Sequence, residues 1–296
     1  MAPSKNHHWW PICISEFWKD TNGCTTRLSP SGEALCRPPK NFGVIGHGHT
    51  IKMSRKAGET TVWDYNFENE FDKADTNFPN VIKWLNSLRQ EKRTNARNSI
   101  GRFLPQEVPE EMLGLLMEGL VSLCVRSPMN RNAAASIAEE LRGGLGVRER
   151  NTIIAANMRY QQRNIADGLG TRGKFAVIFS PDREYIFGDG FFQNLSSSIG
   201  LPLNPEMLVP LTPSISVLFV RPHQYSAEPR LSTIVVSAQE TDMMNHFVQI
   251  YAKDMIFYRQ EKPVLAQEFY KGEHLCLNGP NRPIDGLIHG VLNVRT

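Results

Sequence analysis

Cysteine is the first scarcity in this chain. Five cysteines, at positions 13, 24, 36, 124 and 276, form no CxxC pair and are odd in number. That argues against a complete disulfide framework and against a close-paired redox or zinc motif, and leaves a reduced, intracellular chain as the expectation. Charge of one sign is scarce as well: 33 Lys+Arg against 30 Asp+Glu leave +3, too little to assign a nucleic-acid-binding class from net charge. Long apolar runs are missing. The longest, Met112 to Val125, is interrupted by Glu118 and falls short of the roughly 20 residues that a bilayer-spanning helix needs, so no membrane partner is expected. Residues 1–30 contain neither a basic start followed by an apolar segment nor a small-residue cleavage site, and the expected location is the cytoplasm. The glycine-rich stretch Gly43-Val44-Ile45-Gly46-His47-Gly48-His49 matches neither GxGxxG nor GxxxxGKS and reads as a strand with a bend.

What is present in unusual density is aromatic and imidazole side chains near the start. Asn6-His7-His8-Trp9-Trp10-Pro11-Ile12-Cys13-Ile14-Ser15-Glu16-Phe17-Trp18 carries two imidazoles, three indoles, a phenyl ring and a carboxylate. Termini are usually polar and frayed. Either the aromatics dock this end onto a core with the histidines as bystanders, or the docking holds the imidazoles still beside acids for acid/base or metal chemistry.

A composition of 41% hydrophobic and 21% charged residues is that of a globular protein. No long Ser/Gly/Pro linker interrupts residues 1–296, so one domain is predicted: a β-rich part over 1–63, a helical part over 64–170, a β-rich part with a closing helix over 171–258, and a tail over 259–296. The expected fold class is α+β, with a small N-terminal antiparallel sheet, a central bundle of about four helices and a β-rich C-terminal part closed by a helix. Cys24 to Leu28 and Glu33 to Cys36 are short strand candidates between turn-like clusters. Phe67, Phe71, Ala74, Phe78, Ile82, Leu85 and Leu88 recur at three- and four-residue steps and predict an amphipathic helix from Asp64 towards Glu91, kinked or divided at Pro79. Pro105 to Val125 predicts a central helix closed by Arg126. Ser127-Pro128 reads as an N-cap and first helical position, opening a helix that ends at Gly143-Gly144, and another helix follows over Val147 to Gly168. Phe175 to Phe179 and Glu184 to Phe187 predict a hairpin around Ser180-Pro181-Asp182. Met207 to Leu211 and Ser216 to Arg221 predict two further strands, and Ser237 towards Lys253 a helix carrying Asn245 and His246.

Glu68, Asp72 and Asp75 share one flank of the first long helix, either as a solvated acidic face near its N-terminus or as part of a site. Arg126 and Arg131 lie close together at a helix joint, where they either hold a phosphate or pair with that flank. Arg148, Arg150, Arg159 and Arg163 form the one basic strip, for which a solvated face is the default. A zinc-stabilised small domain from Cys13, Cys24, Cys36, His47 and His49 would need spacings of eleven and twelve residues in place of the usual close pairs.

The order of these motifs resembles an uncharacterised, largely bacterial family of domains of unknown function that opens on HHYVPxxYLxxF. The opening here is HHWWPICISEFW, followed by Glu68 with Asp75, Arg126-Ser127-Pro128-Met129-Asn130-Arg131, Gly188-Asp189-Gly190-Phe191 where the family has SDNP, Pro210-Leu211-Thr212-Pro213, and Asn245. Trp10 replaces the usual valine, which suggests a tryptophan-rich subgroup, and Gly190-Phe191 replaces the usual Asn-Pro. The resemblance implies single-gene anti-phage defence with an intracellular toxic or sensing activity, and it groups His7, His8, Glu68, Asp75, Arg126 and Asp189 as one constellation. The reading drawn from it is a nuclease cleaving a phosphodiester of RNA or DNA. His7 or His8 would be general base or acid, Glu68, Asp75 and Asp189 would hold water or a magnesium or manganese ion, and Arg126, Arg131 and Asn245 would contact substrate. The alternative is a non-catalytic sensor that binds a phage protein through its tryptophans and the Gly190 to Pro205 loop and acts through a partner or as a homo-oligomer.

Overall fold

Three- and four-residue apolar steps fill the middle of the chain, while short β-branched and aromatic runs lie towards both ends; the two periods dictate where helices and strands form. The computed structural model describes residues 6–46, 48–51, 65–92, 100–195, 204–221, 223–224, 226, 228–273 and 284–295. In chain order it places β1 (Asn6–His8), α1 (Ile12–Ser15), β2 (Thr25–Leu28), β3 (Ala34–Arg37), β4 (Val44–Gly46), β5 (Thr50–Ile51) and β6 (Tyr65–Asn66) before the helical part. That part holds α2 (Asp72–Ser87), β7 (Leu104–Gln106), α3 (Glu110–Arg126), α4 (Pro128–Arg142) and α5 (Val147–Leu169). There follow β8 (Lys174–Phe179), β9 (Phe187–Gly188), β10 (Phe192–Gln193), β11 (Glu206–Thr212), β12 (Ile215–Val220), β13 (Leu231–Val235), α6 (Ala238–Tyr251), β14 (Ile256–Tyr258), α7 (Gln267–Lys271) and α8 (Asp285–Asn293). The fold is mixed α+β: small antiparallel sheets first, central helices next, then a six-stranded mixed sheet and closing helices.

The six-stranded sheet has the order β10-β11-β12-β8-β13-β7, antiparallel except where β13 runs parallel to β8. All six residues of β8 are buried, as expected for a strand covered on both faces. β13 reaches its place beside β8 only after the long β9–β12 excursion, as a parallel pairing requires. Lys174, buried at the start of β8, donates from Nζ to the Val294 carbonyl at 2.6 Å and ties the C-terminal end to the sheet.

A second sheet, in the order β3-β2-β14-β9, draws two strands from each end of the sequence. It corrects one expectation. Glu184 to Phe187 does not fold back on β8 as a hairpin; β9 pairs with β14 instead, and β8 takes β12 and β13 as neighbours. The burial of aromatics explains the choice, because Phe187 is drawn into contact with Trp9, Trp10 and Trp18. Two helix boundaries also differ. Pro79 lies inside a continuous α2, and Leu104 to Gln106 is an edge strand ahead of α3. The Ser127 cap and Pro128 at the first turn of α4 are as expected, the Ser127 side chain accepting from the Asn130 amide. Among the described residues no single helix is long and apolar enough to cross a membrane, and α3 is buried in the core.

The N-terminal aromatics are core residues. Trp10 stacks on Phe187 with ring centroids 4.5 Å apart and planes 11° from parallel, and it meets Phe257 at the same centroid distance. Trp9 and Trp18 complete the clasp, and the Trp18 indole donates to the Leu211 carbonyl at 3.3 Å. Gly43 permits the approach: its φ is +69°, its carbonyl accepts the Trp9 amide at 2.7 Å, and a Cβ there would sit 2.6 Å from that of Trp10. Truncating a buried indole costs about 3–5 kcal/mol. Trp10→Ala is therefore expected to lower the unfolding free energy by that amount, read as a fall in the urea midpoint; an unchanged midpoint would show that the clasp does not hold the terminus.

Candidate acid–base site

The clasp fixes β1, and β1 delivers His7 and His8 to the joint between α2 and α3. β1 pairs with β4 in the register His7↔Ile45 and His8↔Val44, so alternate side chains point to opposite faces. His7 is fully buried. Its Nδ1 accepts the backbone N–H of His49 at 3.0 Å, which leaves the ring proton on Nε2, and Nε2 lies 3.5 Å from Glu68 Oε2. The His49 ring stacks on His7 at 4.9 Å and packs against Phe67 and Phe71. Burial, reinforced by the positive charge of Arg126 and then by His7, Arg131 and His8, pushes the His49 imidazole down to about 2. His8 is half-buried, and burial holds it below the usual imidazole value against the opposing pull of the Phe42 carbonyl.

The acids come from the short helical turn over Glu68–Phe71 and the first turn of α2. Glu68 is 41% exposed, its carboxyl raised by partial burial and by Asp72. Asp75 forms a bidentate pair with Arg126, at 2.6 and 3.0 Å. Arg126 is almost wholly buried; Nε donates to the Ser122 carbonyl and the guanidinium lies 4.6 Å from the Phe71 ring centroid. Cys13, held at about 11 by burial and then by Asp75, stands at the edge of the same group.

Five of the six residues grouped from the sequence, His7, His8, Glu68, Asp75 and Arg126, thus come together, and Asp189 does not. Its carboxylate accepts the amides of Lys253 and Asp254 at 2.7 and 2.9 Å, while burial raises it to about 7. It closes the turn between α6 and β14. Gly190 beside it packs where a Cβ would lie 2.0 Å from the Tyr251 carbonyl, which accounts for glycine at that place.

The divalent-ion set Glu68, Asp75 and Asp189 is accordingly not assembled, since Asp75 is committed to Arg126 and Asp189 to backbone amides. Among the described residues no group of three or more His, Cys, Asp or Glu side chains is disposed to hold a metal ion. That covers the zinc arrangement as far as Cys13, Cys24, Cys36 and His49; His47 lies outside the described residues.

The expected substrate contacts change too. Arg131 is partly buried, donates to the Gly48 carbonyl at 2.9 Å and so holds the His49 turn. Asn245 bridges the Glu184 carbonyl and the Ile186 amide from α6. Within the basic strip, Arg159 and Arg163 both pair with Glu70, and Arg150 with Glu139. The residue that sequence reasoning placed elsewhere is His49. Its signal was the adjacent Gly48, where a Cβ would lie 3.1 Å from that of Ile45.

No family model, curated protein or solved structure matches this chain.

His49 supplies a pH test. An unfolded imidazole titrates near 6.5, far above the folded value, so as pH falls below about 6.5 the unfolded chain alone takes up the proton. The stability carried by the neutral ring is intact above that pH and drains away towards the folded value, at a slope approaching about 1.4 kcal/mol per pH unit. Asp189, raised in the fold, acts oppositely: its contribution is present at low pH and lost as pH rises through about 7. His49→Phe removes the first effect and keeps the second. Urea unfolding from pH 7 to 4.5 should show the variant gaining on the parent with acidity; parallel curves would show that His49 is not held neutral.

Proposed function

We propose that this group is the acid–base site of a phosphodiester-cleaving enzyme, a nuclease serving intracellular defence against phage. The observation that carries the reading is the half-exposed Glu68 carboxylate with its raised proton affinity, backed by the buried His7 Nε2–H at 3.5 Å. Glu68 serves as general base towards the attacking water or ribose hydroxyl. His7 is a positioning residue, its tautomer set by the His49 amide. His8, kept neutral by burial, is the second proton carrier, and Arg126 supplies positive charge from the floor of the site. No step is routed through a magnesium or manganese ion, because the acids foreseen for it are otherwise engaged.

One observation favours a second reading, a binding protein. Trp9, Trp10 and Trp18 are buried and present no contact surface, but Ile137, Leu141 and Val147, around the α4–α5 turn, are 53%, 81% and 76% exposed. Contact would then fall to that hairpin.

Cleavage assays on single- and double-stranded RNA and DNA test the first reading. Glu68→Gln is expected to keep the parent's circular dichroism and lose at least about 100-fold in rate, within the range ascribed to general base catalysis. The parent's rate should fall with acidity through a pKa above the ordinary glutamate value, and His8→Ala should also be impaired. Cleavage by the purified Glu68→Gln protein at the parent's rate would overturn the assignment.

A further inference from the structure

Outside the candidate site, one contact between reactive groups is unused by anything above: the thiols of Cys24 and Cys36. Neither is in a disulfide. Cys24 immediately precedes β2 and Cys36 lies in β3, where the register pairs Thr26 with Cys36 and Thr25 with Arg37. Residues two apart on a strand share a face, so Cys24, Thr26 and Cys36 lie on one face of the hairpin, the two cysteines on its diagonal. That register sets the two thiols near enough for each to feel the other. Cys36 is exposed and Cys24 partly so, and β3 is the edge strand of its sheet, so a small reagent reaches the pair from solvent.

We propose that Cys24 and Cys36 are a thiol–disulfide exchange site whose co-reactant is a low-molecular-weight disulfide of the glutathione class. The Cys36 thiolate attacks one sulfur of the oxidised tripeptide, forming a protein–glutathione mixed disulfide and expelling one glutathione thiolate. Cys24 then attacks Sγ of Cys36, forming the intramolecular bond and expelling the second glutathione. Two protein thiols are oxidised, one small disulfide is reduced, and the two protons leave with the glutathiones.

The order of attack follows from the surroundings. Cys36 is the exposed thiol that a reagent meets first, and the partly buried Cys24 behind it, its thiol pushed up by desolvation, is the resolving partner. A diagonal pair must shift slightly to reach disulfide geometry, which makes the bond easy to reduce again. The tie has a route to the N-terminal clasp. Thr25, next to Cys24, donates its hydroxyl to the Trp18 carbonyl at 2.8 Å, so closing the bond restrains the segment that seats the Trp18 ring.

The test equilibrates the full chain with reduced and oxidised glutathione at a series of ratios, alkylates the remaining thiols, and maps peptides by mass. The expected result is a Cys24–Cys36 linked peptide that appears and disappears reversibly, with a rise of several degrees in the melting temperature. Cys24→Ser should accumulate glutathione on Cys36, while Cys36→Ser should take up far less. Persistent glutathione on the parent's Cys36, linkage through Cys276, dimers joined by disulfides, or unreacted thiols at both positions would each overturn the proposal.

Discussion

The stack of Trp10 on Phe187 and Phe257 is the contact on which the arrangement of the N-terminal part depends. A three-residue strand paired with one other three-residue strand is marginal by itself, and a chain end with no anchor frays. Here Trp9 and Trp10 follow β1 directly, and their rings pack against Phe187 and Phe257, which face each other on the paired strands β9 and β14. Aromatic pairs contribute roughly 0.5–1.5 kcal/mol each beyond the area they bury, so several such pairs on one pentapeptide offset its loss of freedom. The consequence is positional. His7 is held at the α2–α3 joint because Trp9 and Trp10, which follow β1, cannot leave the core.

Burial sets the electrostatics of that joint. An unpaired guanidinium in the interior costs several kcal/mol, and Arg126 escapes the cost through the bidentate bond to Asp75 and the carbonyl of Ser122. With that cation fixed, the nearby imidazoles gain nothing by protonation. His49 and His8 are both held below their usual range, desolvation being the larger cause and Arg126 a further one. Glu68 responds in the opposite sense, raised by its partial burial and by Asp72, with Arg126 pulling the other way. A neutral imidazole layer, a fixed cation beneath it and a proton-accepting carboxylate at the rim share one cause, the exclusion of water by Phe67 and Phe71 ahead of α2.

Much of this was legible in the residues, and the exceptions share a reason. Helices α3, α4, α5 and α6 followed from period, caps and terminal glycines, and β2, β3, β11 and β12 from short runs between turn residues, all of them local signals. The joining of His7, Glu68, Asp75 and Arg126 was suggested by motif order, but nothing in their spacing required it. What could not be read was pairing between distant segments. Glu184 to Phe187 looked like the second arm of a hairpin because its neighbour in sequence was a strand. The choice of β14 was decided by indoles some 170 positions away. Pro79 looked like a break, yet α2 is held against α3 along its length, and tertiary packing overrode the lost amide.

Asp189 and Asp75 show how a carboxylate's existing partners limit its chemistry. Both were chosen as acids able to share a cation, on type and motif order. A carboxylate offers about four lone-pair directions, and a site must leave some of them open. Arg126 takes one oxygen of Asp75 with each terminal nitrogen, and the amides of Lys253 and Asp254 take one oxygen of Asp189 each. Withdrawing either acid would leave a buried guanidinium or the two amides of the α6–β14 turn without acceptors, a cost that a weakly held cation would not offset. Glu68 carries no such obligation: its carboxylate lies 3.5 Å from His7 Nε2, and much of its surface meets solvent. Chemistry at this joint is therefore centred on one carboxylate and the imidazole behind it.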